Sequence, residues 1–297
     1  MRVLRFEIPP ACEGMTVRDF ARKQAGLSAR FLTKQKQLPS GILKNGFPCR
    51  TVDRLSTGDV LSFPLPEEVP EYLEVSTSLT VLWETEDYLA VEKPPDMPVH
   101  PSPGHNRDSL LNAVAYYYRQ TGQQHLFRPL YRLDKDTSGV LVIGKHRAAV
   151  STAVIEKRYF AVCEGELSGS GTIDLPIGLR EGSKIVRACG FGEKAVTHWK
   201  AIACEEGHTL LSLRLETGRT HQIRAHMAHF GHPLAGDDLY GGSRERIGRQ
   251  ALHCGLVSVF SKALAVKAEI TSELPADFCT AFPWLFRLRE IEQEKTL

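Results

Sequence analysis

Tyr131-Arg132-Leu133-Asp134-Lys135-Asp136-Thr137-Ser138-Gly139 runs directly into Val140-Leu141-Val142-Ile143. Four consecutive aliphatic residues read as a strand buried on both faces, and the charged and small polar residues ahead of them read as a loop held rigid at its start. Taken alone, that loop is either an ordinary acidic turn, with Asp136, Thr137 and Ser138 capping backbone amides, or a platform for reactive side chains.

Working outward, short apolar runs alternate with Gly- and Pro-marked turns from Leu79 onward, at 81–84, 89–92, 140–143, 160–162, 210–215 and 256–260. Two helical patterns interrupt them, 109 to about 119 and 221 to about 230. Many strands and few helices at irregular spacing predict an α+β domain on a mixed or antiparallel sheet rather than a βαβ repeat. A second loaded stretch runs from Leu215 to His226. A strand ends at Glu216, Thr217-Gly218 turns the chain, and Thr220 is the expected N-cap of the helix that follows. Arg219 and Arg224 beside this N-terminus make a natural anion site, unless they pair with structural carboxylates. His221, His226, His229 and His232 are close in sequence, but they lack the HExxH pattern and any acidic residue among them, so hydrogen-bonded rings are expected rather than a metal site.

The 297 residues are 42% hydrophobic and 24% charged, which excludes intrinsic disorder, collagen-like chains and coiled coils. No apolar run approaches the roughly 18 residues of a membrane helix. Met1-Arg2-Val3-Leu4-Arg5-Phe6-Glu7 has no signal-peptide pattern, so the expectation is a cytoplasmic protein, monomeric and without membrane contact. Seven scattered cysteines, none in CxxC spacing, fit reduced thiols.

The overall charge of +2 hides an asymmetry: between Arg18 and Arg54, nine basic residues oppose only Asp19 and Asp53. Such a run is either a solvated face or the footprint of a phosphate backbone. The same segment predicts helices from Thr16 and Ser28 as N-caps, a strand entering an Asn45-Gly46 turn, and a closing strand at 58–63. Residues 1–66 therefore read as a small module, 67–75 as an acidic Pro-rich linker, and 76–297 as the main domain.

Two readings of the chemistry compete. Asp134-Lys135-Asp136-Thr137 matches the DxDxT pattern of haloacid-dehalogenase-like phosphatases, with Asp134 as nucleophile, Asp136 as general acid and Gly236-Asp237-Asp238 as the distal magnesium-binding acidic pair. That fold needs its signature after an apolar strand, whereas here the strand follows it. The other reading covers more of the chain. Arg132-Leu133-Asp134 through Gly139, Lys157-Arg158-Tyr159-Phe160-Ala161, Lys194-Ala195-Val196-Thr197 and Gly218-Arg219-Thr220-His221-Gln222-Ile223-Arg224-Ala225-His226 stand in the order of the RluA-type pseudouridine synthases. Glu84 to Pro95, Gly231 to Asp237 and Tyr240-Gly241 extend this resemblance across about 79–280. The N-terminal module resembles an S4-like RNA-binding domain through Leu27-Ser28-Ala29-Arg30 and Leu43-Lys44-Asn45-Gly46.

The resemblance implies an isomerase that flips a uridine out of RNA and needs neither cofactor nor metal, with Asp134 as the catalytic carboxylate. It implies that Arg219 pairs with Asp134, Tyr159 stacks on the uracil near the departing C5 proton, Ile223 packs the ring's other side, and Arg132 reaches into the vacated stack. Arg30, Lys34, Lys36 and Lys44 would carry RNA binding by the module. Large-subunit ribosomal RNA is the favoured partner, with transfer RNA as the alternative, and a non-catalytic RNA-binding relative is the third reading. One departure stands out: Tyr131 occupies the family's usual His position, keeping an aromatic face without a positive charge.

Overall fold

The computed structural model describes residues 2–66, 70–102 and 104–286. The N-terminal part builds a four-stranded antiparallel sheet from β1 (Val3–Glu7), β2 (Leu43–Lys44), β3 (Phe47–Pro48) and β4 (Val60–Pro64), in the order β1-β4-β2-β3. Against it pack α1 (Val17–Asp19), which runs on into a π-helical turn at Phe20–Gln24, and α2 (Ala29–Gln35). Thr16 and Ser28 cap the helices as their side-chain oxygens predict, accepting from Asp19 N and Phe31 N. Asn45 and Gly46 take φ of 53° and 86°, the left-handed pair that joins β2 to β3 in a two-residue hairpin. Strand β1 was not expected from the sequence. It supplies Leu4 to a separate core containing Phe20, Phe31, Leu61 and Phe63.

From Thr80 the chain forms one nine-stranded sheet: β5 (Thr80–Glu84), β6 (Tyr88–Lys93), β7 (Ser138–Gly144), β8 (Val154–Glu164), β9 (Ser170–Asp174), β12 (Val196–Glu205), β13 (His208–Leu215), β14 (Leu252–Ser261) and β15 (Val266–Thr271). Two short strands, β10 (Ile177–Leu179) and β11 (Arg187–Cys189), pair beside it as a hairpin. The sheet order is β5-β6-β7-β14-β8-β13-β12-β9, with β15 added to β14. Every pairing is antiparallel except β7 with β14, so this is the mixed sheet of an α+β protein. Helices α3 (Leu110–Gln120), α4 (Arg147–Thr152), α5 (Gln222–His229) and α6 (Ala276–Ala281) are the connections. Ser109 and Asn112 begin α3 with a reciprocal capping box.

The centre of the sheet decides where a site can form. All seven residues of β7 are buried, as the aliphatic run requires. β14 pairs with β7 only at His253 and Cys254, and beyond Gly255 its edge passes to β15. The sheet therefore splits next to the loop that precedes β7. Gly139 sits at the junction with φ of 113°, where a Cβ would collide with the Cys254 carbonyl.

The stretch expected as a linker is not a free tether throughout. From Tyr72 it lies on the main domain: Tyr72 Oη accepts from Phe127 N, Leu73 O accepts from Asn112, and Glu74 pairs with Arg119. Its residues 67–69, and the 287–297 end of the expected main domain, lie outside the described residues. The N-terminal unit docks through α2 against α4, with Ala148 joining its core. Arg2 bonds both oxygens of Asp87, at 3.3 and 3.4 Å, and pairs with Glu86 at 2.7 Å. No helix of the described residues is long and apolar enough to cross a membrane.

Candidate active site

The loop before β7 is fastened from several sides. Lys93, fully buried at the end of β6, donates to three carbonyls: Pro94 at 2.7 Å, Met97 at 2.8 Å and Lys135 at 2.7 Å. The three N–H groups of an ammonium match that demand, while burial drives its pKa down to about 7 despite the charges of Asp136 and Asp134. Arg249 donates to Asp136 O at 2.9 Å and to Ser138 Oγ at 3.2 Å. Thr137 N closes a turn onto Asp134 O. Tyr131 donates its hydroxyl to Val140 O at 2.8 Å and carries Lys157 over its ring at 4.7 Å. The Tyr131 phenol thus anchors the loop to β7 and does not line the cleft.

Held in this way, Asp134 projects into a cleft lined by Arg132, Leu133, Thr137, Tyr159 and Ile223 among others. All five residues the sequence singled out for the site, Arg132, Asp134, Tyr159, Arg219 and Ile223, border this one cleft. Tyr159 comes from β8, flanked by Leu213 of β13 and Cys254 of β14. Burial pushes its phenol well above the ordinary value, so it stays neutral. Ile223 is buried on α5, and Arg132 is exposed at the mouth.

The expected pairing of Arg219 with Asp134 is not what forms. Arg219 Nε donates to Lys194 O at 3.1 Å and Nη1 pairs with Glu193 at 2.9 Å. Arg224 faces Asp134 instead, with Nη1 to Oδ2 at 3.4 Å. Two shorter bonds, 2.7 and 2.8 Å, tie the same guanidinium to the wholly buried Asp237, and it lies over the Tyr240 ring at 5.0 Å. Burial works against the Arg224 charge, but Asp237 and Asp134 outweigh it and raise its pKa.

The reason lies at the start of α5. Thr220 is not the cap; His221 takes that position with φ of 56°, a left-handed conformation costing a β-carbon residue about 1–2 kcal/mol. Gln222 ties the turn instead, accepting from Arg219 N at 3.0 Å and Thr217 Oγ1 at 2.8 Å, and donating to Val196 O at 2.9 Å. These bonds fix the approach to α5, while no side chain caps the helix itself. The kink brings His221 Nε2 to 3.9 Å from Asp134, while Nδ1 shares a 2.9 Å hydrogen bond with Tyr240 Oη. Burial lowers the His221 pKa against the pull of Asp134, so the ring is neutral near pH 7.

Sequence reasoning placed Arg224 at an anion site and not against Asp134, named neither His221 nor Tyr240 for the cleft, and offered Asp237 as a metal ligand only within the phosphatase reading. Asp237 is fully occupied by Arg224, which removes it from magnesium binding in the phosphatase reading. His226 bonds Thr197 Oγ1 and Leu175 O, and His232 bonds Glu164 O. The thiols of Cys163 and Cys254 are pushed up to about 12 by burial, leaving them unreactive.

In the module, Arg30 and Lys34 lie exposed on α2 and Lys36 just beyond it. Lys44 instead pairs with Asp59 at 3.5 Å and donates to Arg54 O. Lys23 and Arg50 also have internal partners, while Arg18, Arg22, Arg30, Lys34 and Lys36 are exposed.

A family model described as RNA pseudouridylate synthase matches residues 87–229. An uncharacterized RNA pseudouridine synthase, YjbO of Bacillus subtilis (strain 168), is 38% identical over 274 residues, 89% of this chain and 96% of that protein. The ribosomal large subunit pseudouridine synthase D of Pseudomonas aeruginosa is 33% identical over 276 residues, 84% of each chain. The solved structure of human RNA Pseudouridylate Synthase Domain Containing 1 shares the fold, with TM-score 0.57 at 24% identity over 71% of this chain and 90% of that one. The chain belongs to the RluA-type family of RNA pseudouridine synthases, isomerases acting on RNA.

Proposed function

We propose that this chain converts uridine to pseudouridine in large-subunit ribosomal RNA, with Asp134 as the catalytic carboxylate. The observation that carries the reading is the cleft itself: a half-exposed carboxylate on an immobilised loop, facing a buried arginine, with an aromatic and an aliphatic side chain on the neighbouring walls. The reaction breaks N1–C1′, forms C5–C1′, moves a proton off C5 and leaves N1 protonated, so it consumes no cosubstrate. Asp134 attacks or stabilises the electron-poor centre formed at the sugar or the ring, and Arg224 holds it in place. Tyr159 and Ile223 sandwich the flipped uracil, and Arg132 occupies the stack it leaves.

The N-terminal unit, residues 1–66, acts as an S4-like RNA-binding module that presents Arg30, Lys34 and Lys36 to phosphates, with Lys44 shaping the hairpin beside them. The protein works as a cytoplasmic monomer without metal. Support for a ribosomal target comes from the relative in Pseudomonas aeruginosa, named for the large ribosomal subunit.

Tritium release from C5-labelled uridine tests the substrate, using ribosomal and transfer RNA from cells lacking this protein, with a chelator present. Release from the ribosomal pool alone is expected. Release confined to transfer RNA would overturn the ribosomal assignment.

A further inference from the structure

Arg187, on β11 of the hairpin beside the cleft, carries a charge that no carboxylate among the described residues answers. Its Nε is sealed from solvent without a hydrogen-bond partner, and the guanidinium has no ion pair among the described residues. A buried, unpaired donor is costly and marks a place where a partner is missing. Nearby carboxylates are already engaged: Asp134 and Asp237 by Arg224, Glu193 by Arg219, Asp238 by Arg244. Arg187 is only half-buried as a residue, so the open part of its guanidinium is left for an anion that arrives from outside.

The position says which one. Arg187 N donates to Tyr240 Oη at 2.9 Å, that hydroxyl bonds His221 Nδ1, and His221 Nε2 stands 3.9 Å from Asp134. The Arg187 charge also reaches His221, where it adds to the lowering by burial. A uridine lowered onto Asp134 brings its own phosphodiester links to the rim of the cleft. Arg180 and Lys184 are exposed in the turn of the same hairpin, with Glu181 between them.

We propose that Arg187 is a substrate-binding residue whose guanidinium takes the phosphate adjoining the uridine flipped into the Asp134 cleft. The inference rests on the reading of that cleft as the catalytic centre. It separates Arg187 from Arg219, which has protein partners, and from Arg132, which is open to solvent at the mouth.

The test combines salt-dependent RNA binding, turnover and melting. Binding is compared between Asp134→Asn and Asp134→Asn with Arg187→Gln, using ribosomal RNA fragments that the wild type isomerises. The second variant should lower the slope of log affinity against log salt by about 0.7–0.9, one phosphate contact. In the otherwise wild-type enzyme, Arg187→Gln should lower kcat/KM about tenfold, mostly through KM, with partial rescue by Arg187→Lys. Its melting temperature should match or exceed that of the wild type, because an unpaired buried donor has been removed. A lowered melting temperature, or an unchanged salt slope and KM, would overturn the proposal by making Arg187 structural or idle. Full isomerase activity in Asp134→Asn alone would instead remove the cleft reading on which it rests.

Discussion

Two arginines five positions apart on one turn take opposite parts around Asp134. Arg224 is buried and holds Asp237 as well, whereas Arg219 is part-exposed and bound to Glu193. Replacing Arg224 with Met should strand the Asp237 charge and cost about 3–5 kcal/mol in denaturant unfolding, with isomerisation lost. Arg219→Gln should leave stability within about 0.5 kcal/mol, since only an exposed ion pair and an exposed hydrogen bond to Lys194 O are removed. Equal destabilisation by the two would contradict the assignment. Tyr131→Phe removes one hydrogen bond to Val140, so a loss of about 1 kcal/mol is expected with kcat little changed. Five of the residues that line the cleft were legible in the sequence because their types and order are distinctive. Which arginine reaches Asp134 was not legible, because it depends on the left-handed backbone at His221, a conformation that an L-residue enters only under tertiary constraint.

At the scale of elements, the site depends on β7 meeting β14 and on Lys93 pinning the loop between them. Gly139→Ala places a methyl group against the Cys254 carbonyl in a backbone conformation that disfavours it, and should abolish soluble folded protein. Folded, active protein would refute the junction described. Lys93 predicts a pH dependence. Its folded pKa of about 7 lies below the roughly 10.4 of an unfolded lysine, so between those values the unfolded chain binds the extra proton. Its contribution to stability therefore grows as pH rises from about 7 towards 10 and fades as pH falls back through about 7. Urea midpoints measured across that range should rise less steeply in Lys93→Met than in the wild type, from a lower starting point because three carbonyls lose their donor. Parallel slopes would contradict the shift. Strongly apolar strands such as β7 and β13, and capped helices such as α3, were readable because local pattern and burial agree. β1, β9 and the β10–β11 hairpin were not, since short, half-exposed strands acquire their identity from partners distant in sequence.

Across the whole molecule, the N-terminal unit is placed by Arg2 on Glu86 and Asp87 and by α2 against α4, so its basic face is fixed relative to the cleft. Lys34→Ala combined with Lys36→Ala should flatten the salt dependence of RNA binding by about 1.4–1.8 in the logarithmic slope, two phosphate contacts, while the melting temperature stays put. An unaltered slope would make that face merely solvated. The unopposed charge between Arg18 and Arg54 is what suggests this RNA-binding role, but it did not show that Lys23, Lys44 and Arg50 have acidic partners within the unit. The central claim is that Asp134 performs the chemistry while the rest of the chain binds and presents RNA. Asp134→Asn tests it most directly, with tritium release and RNA affinity measured on the same preparation. Release should fall to background with affinity retained; release that persists at the wild-type rate would contradict the account.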